Sequence, residues 1–334
     1  MSNAPLAQLE TLLGIYLPTI VINYLHYVIL TVGFLLLLKY VLDLLQGIYA
    51  RLLRPGKNLV KQGKWAVVTG ATDGIGYAMC EEFARKGLNV VLISRTLDNL
   101  NIKAKELSEK YPKIQTKVLD IDYSRFDENA QGRVGNLLTL LAADGGISTL
   151  VNNVGISYPY TKYFHELDDE RVTQLIKINI DSTTYMTRLV LPYMLEARKG
   201  NIVNISSAAG VSTSPLLAQY GAAKSYIAMF SRALNYELRD KGIHVQCQVP
   251  MFVATKLAKI KRASLFVASP KGYARSAVAA IGYEILVSPF WTHALQIWVL
   301  TNFPEWLIAA GTNMMHKGIR AAGMKKDARK QKEN

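Results

Sequence analysis

Between Trp65 and Gln248 the chain repeats one pattern, a short apolar run followed by a longer stretch with helical spacing. The runs fall at Trp65–Thr69, Asn89–Ser94, Ile114–Leu119, Ile147–Val151, Asn201–Ile205 and Ile243–Gln248. Runs that stay apolar from end to end are strands covered on both faces, and the stretches between them are long enough for helical crossovers. The alternation therefore predicts an α/β fold with a doubly wound parallel sheet. No internal repeat or low-complexity tract interrupts it, and 334 residues, half of them apolar, suffice for a sizeable core.

The first run ends in Thr69-Gly70-Ala71-Thr72-Asp73-Gly74-Ile75-Gly76, after which a helical pattern runs to Arg85. Glycines at 70, 74 and 76 permit a tight turn, close approach of backbone to a pyrophosphate, and close packing of helix on strand. The helix N-terminus then offers unpaired N–H groups to the phosphates. Near the end of the second run, where an acidic residue would hold the ribose 2′-hydroxyl of NAD, stand Ser94 and Arg95. A guanidinium pairs with a 2′-phosphate in a forked geometry, so the expected cofactor is NADP(H).

Tyr220 and Lys224 lie four apart at the start of a helical pattern reaching about Arg239, which puts both on one helix face. A phenol with a reference pKa of about 10 needs a neighbouring cation to serve as an acid-base group at neutral pH, and Lys224 is that cation. Ser206-Ser207-Ala208-Ala209-Gly210 follows the fifth run, at the strand end where ligands bind in open α/β sheets. Its hydroxyl can hold a carbonyl and stabilise a developing alkoxide, or else simply cap the turn.

Together these segments resemble a short-chain dehydrogenase/reductase, a family with a Rossmann-type sheet. The family's TGxxxGxG motif matches residues 69–76, and its NNAG motif matches Asn152-Asn153-Val154-Gly155 with Val in place of Ala. Its active-site Asn matches Asn179, its Ser matches Ser207, and its YxxxK pair matches Tyr220 and Lys224. The resemblance implies catalytic roles for Asn179, Ser207, Tyr220 and Lys224. It also implies cofactor contacts from Gly70, Thr72, Asp73, Gly74, Ile75, Gly76, Ser94, Arg95, Asn153, Gly155, Tyr220, Lys224, Val253 and Thr255. The adenine-contacting Asp best matches Asp122, with Asp120 as the alternative, and no metal is implied.

Pro250-Met251-Phe252-Val253-Ala254-Thr255 departs from the family's usual Pro-Gly. It is similar instead to a membrane-bound branch that holds the very-long-chain 3-oxoacyl-CoA reductases and the 17-beta-hydroxysteroid dehydrogenases. By that resemblance Tyr220 protonates a ketone oxygen that accepts hydride at its carbon from NADPH. Ser207 orients the carbonyl, Lys224 lowers the Tyr220 pKa and binds the nicotinamide ribose, and Asn179 holds a relay water. The substrate is a long-chain acyl-CoA or a steroid. Other elongation enzymes and a homodimer are the partners implied, and a scaffold that binds cofactor without turning it over is the non-catalytic alternative.

Outside this region, Glu10 and Lys39 bracket a run without charge whose Ile20–Leu38 portion is long enough to cross a bilayer. The absence of a basic leader and of a cleavage site argues against a signal peptide. Lys39, Arg51, Arg54 and Lys57 follow the run while no Lys or Arg precedes it, so the N-terminus is expected outside the cytosol and the rest within it. Residues 1–60 are read as anchor and interfacial linker, 61–282 as the NADP-binding catalytic domain, 283–316 as a last strand near Phe290–His293 with an apolar aromatic segment, and 317–334 as a basic tail.

Trp291, Trp298, Phe303 and Trp306 in that segment suit a membrane interface or a packed core equally. His293, without a second ligand at useful spacing, is expected to be structural. The net charge of +14 is uneven, with seven basic and two acidic residues from Lys317 onward. A nucleic-acid partner is not expected, because the central segment is nearly balanced. Lys330 and Lys332 resemble the retrieval address of endoplasmic reticulum membrane proteins, or belong to a tail attracted to anionic lipid. Cys80 and Cys247 read as small buried hydrophobes in a reducing compartment.

Overall fold

A computed structural model describes residues 19–333, with the side chains of Lys330 and Glu333 outside the description. The start of the uncharged run, the N-terminus placed outside the cytosol and the final residue of the tail thus lie beyond the described residues. Lys332 is exposed. The described residues fall into two compact units that divide between Arg54 and Pro55.

In the first unit, α1 spans Thr19–Ile48 and ends in a wide π-turn, Tyr49–Leu53. None of its residues is buried. It is long and apolar enough to cross a membrane, and the only such helix among the described residues.

The second unit is built on a seven-stranded, wholly parallel sheet in the order β3-β2-β1-β4-β5-β6-β7. Its strands are β1 Trp65–Thr69, β2 Asn89–Ser94, β3 Thr116–Asp120, β4 Ile147–Asn152, β5 Gly200–Ile205, β6 Ile243–Gln248 and β7 Leu286–Val287. The helices are α2 Gly74–Arg85, α3 Leu97–Lys110, α4 Glu128–Ala143, α5 Asp169–Ile176, α6 Ser182–Ala197, α7 Ala218–Leu238, α8 Pro270–Ala279, α9 Trp291–Asn302 and α10 Glu305–Glu333. Strands β1, β4 and β5 are buried along their whole length, as continuous apolar runs require when helices cover both faces. One core layer packs Val68, Leu92 and Val203 with Phe83 and Tyr273, and the other packs Val67, Ile93 and Ile202 with Leu138 and Met186.

Two expectations need correction. Ile114 is buried but precedes the third strand, which pairs only from Thr116, opposite Val90. A turn holds it there, closed by the Ile114 N–H on the Tyr111 carbonyl at 3.2 Å. The last strand is Leu286–Val287 rather than Phe290–His293, which instead enters α9. Pro289 lacks the N–H a ladder needs, so pairing stops before it and Phe290 opens a helix. In addition, α10 runs unbroken through the boundary expected at 316.

Candidate active site

The order of the sheet reverses between β1 and β4, and crevices for ligands open at the carboxyl ends of strands at such a point. A cleft of about 260 Å³ lies there, lined by Gly70, Asp73, Gly74, Ile75, Ser94, Arg95, Asp122, Asn153, Gly155 and Thr255 among others. Gly70 and Gly74 adopt φ of +65° and +56°, which L side chains rarely tolerate. A Cβ on Gly76 would run into the Gly70 carbonyl, so the helix can start this close to the strand only with glycine there.

Thr69 sits beneath the turn as a hub. Its hydroxyl donates to the Val151 carbonyl at 3.3 Å and accepts from the N–H groups of Asn153 and Val154 at 3.0 and 3.1 Å. The Asn153 amide in turn donates to the Thr69 and Gly70 carbonyls at 3.0 and 3.2 Å. The Asn-Asn segment is thus tied to the glycine turn across the switch point. Asp73 caps α2 by accepting from Gly74 N–H at 2.7 Å and pairs with Lys256 at 3.2 Å, joining the turn to the loop after β6.

At the outer end of the cleft, the Thr72 and Ser94 hydroxyls lie 3.1 Å apart, and Arg95 is exposed with no ion pair among the described residues. Between the two candidate aspartates the geometry favours Asp122, which lines the cleft. Its carboxylate accepts from Ser124 N–H and Oγ at 2.9 and 2.8 Å, while Asp120 is engaged by Arg133.

At the inner end, Tyr220 and Lys224 rise from the first turns of α7, and Ser207 caps the short 3-10 turn Ala208–Gly210 opposite them. Ser207 acts to lower the pKa of the neighbouring Tyr220 phenol, but burial outweighs this and holds the phenol above its ordinary value. Lys224 is buried, with Nζ donating to the Ile205 carbonyl at 3.0 Å and lying 5.9 Å from the Tyr220 ring centre. Burial brings its pKa down to about 8.

Asn179 stands on a π-turn, Lys177–Asp181, a distortion frequent at functional sites. Its amide donates to the carbonyls of Ile156 and Leu175, both at 3.0 Å, and its Oδ1 accepts from Ile156 N–H at 3.2 Å. Gly155 is where the parts converge, since a Cβ there would lie 2.8 Å from Asn179 Oδ1 and 3.2 Å from Lys224 Nζ. The fold therefore brings Asn179, Ser207, Tyr220 and Lys224 together beside the glycine cradle.

Val253 is buried below the cleft and bridges to Ala268 rather than lining it, and Thr255 touches the position of a Gly74 Cβ at 3.0 Å. Where the family's glycine is missing, Met251 N–H donates to His293 Nδ1 at 3.3 Å. His293 is buried, and burial lowers its pKa to about 4. Both cysteines are buried and free, and burial pushes the Cys247 thiol up to about 12.

Tyr158 was not singled out by sequence reasoning. Its phenol accepts from Gln219 N–H at 3.0 Å and so fixes the start of α7 next to Tyr220. A tyrosine in a loop carries no periodic signal that could have revealed this. Among the described residues no cluster of three or more His, Cys, Asp or Glu could hold a metal.

Comparison with known proteins shows the family. The family described as short chain dehydrogenase matches residues 64–265. The chain is 41% identical over 292 residues to a very-long-chain 3-oxoacyl-CoA reductase-like protein of Arabidopsis thaliana, covering 85% of this chain and 91% of that one. It is 42% identical over 266 residues to the very-long-chain 3-oxoacyl-CoA reductase of Homo sapiens, covering 79% and 83%. It is also 40% identical over 269 residues to the inactive hydroxysteroid dehydrogenase-like protein 1 of Homo sapiens, covering 79% of each. Among solved structures, a short-chain dehydrogenase from Sphingobium yanoikuyae in complex with NADPH superposes with a TM-score of 0.61 at 27% identity, over 75% of this chain and 94% of that one. With a matching family model over more than half its length and relatives 40% to 42% identical over 79% or more of the chain, the chain belongs to the short-chain dehydrogenase family.

Proposed function

We propose that the protein reduces 3-oxoacyl-CoA to 3-hydroxyacyl-CoA with NADPH, as a step of very-long-chain fatty acid elongation. The observation that carries the reading is the buried Lys224 beside the Tyr220 ring, with Ser207 close by and the phenol held above its ordinary pKa by burial. One relative is named a reductase of this class at 42% identity and another a reductase-like protein at 41%, which supports the acyl-CoA substrate.

The cleft suits a dinucleotide. The cradle at Gly70, Gly74 and Gly76 admits a pyrophosphate against backbone, Asp122 faces an adenine end, and the exposed Arg95 offers its guanidinium to a 2′-phosphate. Val253 and Thr255 follow β6 at the nicotinamide end. When bound, NADPH supplies the hydride.

The chain's own residues do the rest. Ser207 donates a hydrogen bond that holds the substrate carbonyl, and Tyr220 gives its phenolic proton to the oxygen as negative charge develops there. The Lys224 ammonium stabilises the phenolate left behind, and Asn179, fixed by three hydrogen bonds, positions the water that returns a proton toward Lys224.

The relative named as an inactive hydroxysteroid dehydrogenase-like protein keeps a steroid ketone and a non-catalytic role as the competing readings. An assay of NADPH consumption over a chain-length series of 3-oxoacyl-CoAs, beside estrone and androstenedione, separates the three. The proposal expects turnover to rise with acyl length and steroids to be poor substrates. Higher specificity for estrone, or no turnover at all, overturns it.

The same proposal places the protein in the endoplasmic reticulum membrane, held by α1 with the catalytic unit cytosolic and Lys330 and Lys332 as its retrieval address. Association with other elongation enzymes, or with a second copy, belongs to this setting.

A further inference from the structure

Helix α9 is inside out. Its side chains at Thr292 and His293 are buried, while Trp291, Leu295 and Trp298, at helical spacing along one face, turn outward. The three tryptophans of this region, Trp291, Trp298 and Trp306, are 48%, 44% and 73% exposed. A helix that packs only to bury core does the reverse, so the outward face has a different solvent to meet.

The loop after β6 extends the surface. Leu265 and Phe266 are exposed, and the Phe266 carbonyl accepts from Gln296 Nε2 of α9 at 3.3 Å. Nearby in the loop, Lys261 and Arg262 are exposed. From Lys241 to Trp306 the sequence holds two acidic residues, Glu284 and Glu305, the second of which accepts from the Thr213 hydroxyl.

We infer that the outer face of α9, Trp306 and the loop tip at Leu265–Phe266 form a lipid-facing surface that rests in the headgroup and upper acyl region of a bilayer. Outward tryptophans beside a loop that carries the exposed Lys261 and Arg262 suit an interface with anionic headgroups better than a protein partner. This rests on the reading of α1 as a membrane anchor, whose last turn, ending at Leu53, is separated only by Arg54 from the start of the folded unit at Pro55.

The distribution of tryptophan gives a direct test. The chain has four, three on this surface and Trp65, which is fully buried in β1, and α1 has none. The full chain is reconstituted in phosphatidylcholine–phosphatidylserine vesicles with or without brominated acyl chains, and its flotation and tryptophan emission are measured. We expect bromine to remove more than half of the emission. The combined variant Trp291→Phe, Trp298→Phe, Trp306→Phe should still float through its anchor but show no quenching.

Protein that floats with emission unchanged by bromine overturns the surface and leaves the anchor intact. If crosslinking then joins two copies through α9, a second copy is the occupant instead. Protein that does not float overturns the anchor, and the surface with it.

Discussion

At the scale of the residue, Lys224 holds the chemistry together. It is a buried cation with no carboxylate partner among the described residues, and the low dielectric that lowers its pKa to about 8 also strengthens its hold on a Tyr220 phenolate. The free enzyme should therefore lose reductase kcat/KM as pH rises through about 8, with Lys224 becoming neutral. Stability should move in the opposite sense. Because the folded-state pKa lies below the unfolded value of about 10.5, the unfolded chain binds more protons between the two. Wild-type stability relative to Lys224→Met should increase from pH 8 toward pH 10.5 and fall as pH drops back through 8, as denaturant midpoints would show. At the other end of the cleft, Arg95→Ala should remove the preference for NADPH over NADH at a cost of about 1 to 3 kcal/mol, measured as a ratio of dissociation constants. Equal affinities in the wild type would contradict that assignment.

At the scale of the element, the glycine turn forms one wall of the cleft, and α9 braces the loop after β6 that lines it elsewhere. Gly76→Ala puts a methyl group against the Gly70 carbonyl and should cost roughly 1 to 3 kcal/mol of stability together with cofactor affinity, since α2 has to move off β1. The turn, the strands that support it and the Tyr220-Lys224 pair were all legible in the sequence, because glycine at fixed offsets, continuous apolar runs and i, i+4 spacing are local signals. The convergence of Gly155 with Asn179 and Lys224 was legible only through family resemblance, since it depends on the switch point and on a π-turn that no periodicity announces. The C-terminal part was misread where β7 shrank to two residues and Pro289 handed Phe290 to a helix. Apolar content there signals contact with lipid as well as burial, so it cannot separate a strand from α9. His293, at the start of α9, accepts from Met251 N–H in the loop that lacks the family's glycine. Its pKa of about 4 lies below the unfolded value of about 6.5, so wild-type stability should be lost as pH falls from 6.5 through 4. His293→Gln should flatten that loss.

At the scale of the whole molecule, an apolar helix that buries none of its own residues precedes a dehydrogenase unit with a complete core. The loop that carries Leu265 and Phe266 also lines the cleft through Thr255, Lys256 and Leu257, so the proposed lipid-facing surface belongs to the same loop as part of the cleft wall. In sealed microsomes an epitope after Asn334 should be digested by added protease, and its protection would contradict the cytosolic placement of the catalytic unit. The central claim is that this arrangement performs chemistry on a 3-oxoacyl-CoA. Its most direct test is NADPH consumption by the purified full chain with a long 3-oxoacyl-CoA, comparing the wild type with Tyr220→Phe. Turnover in the wild type that falls roughly 10²- to 10⁴-fold in the variant, with NADPH affinity nearly unchanged, is the predicted result. A variant as active as the wild type, or a wild type that binds NADPH and leaves it unoxidised, would contradict the account.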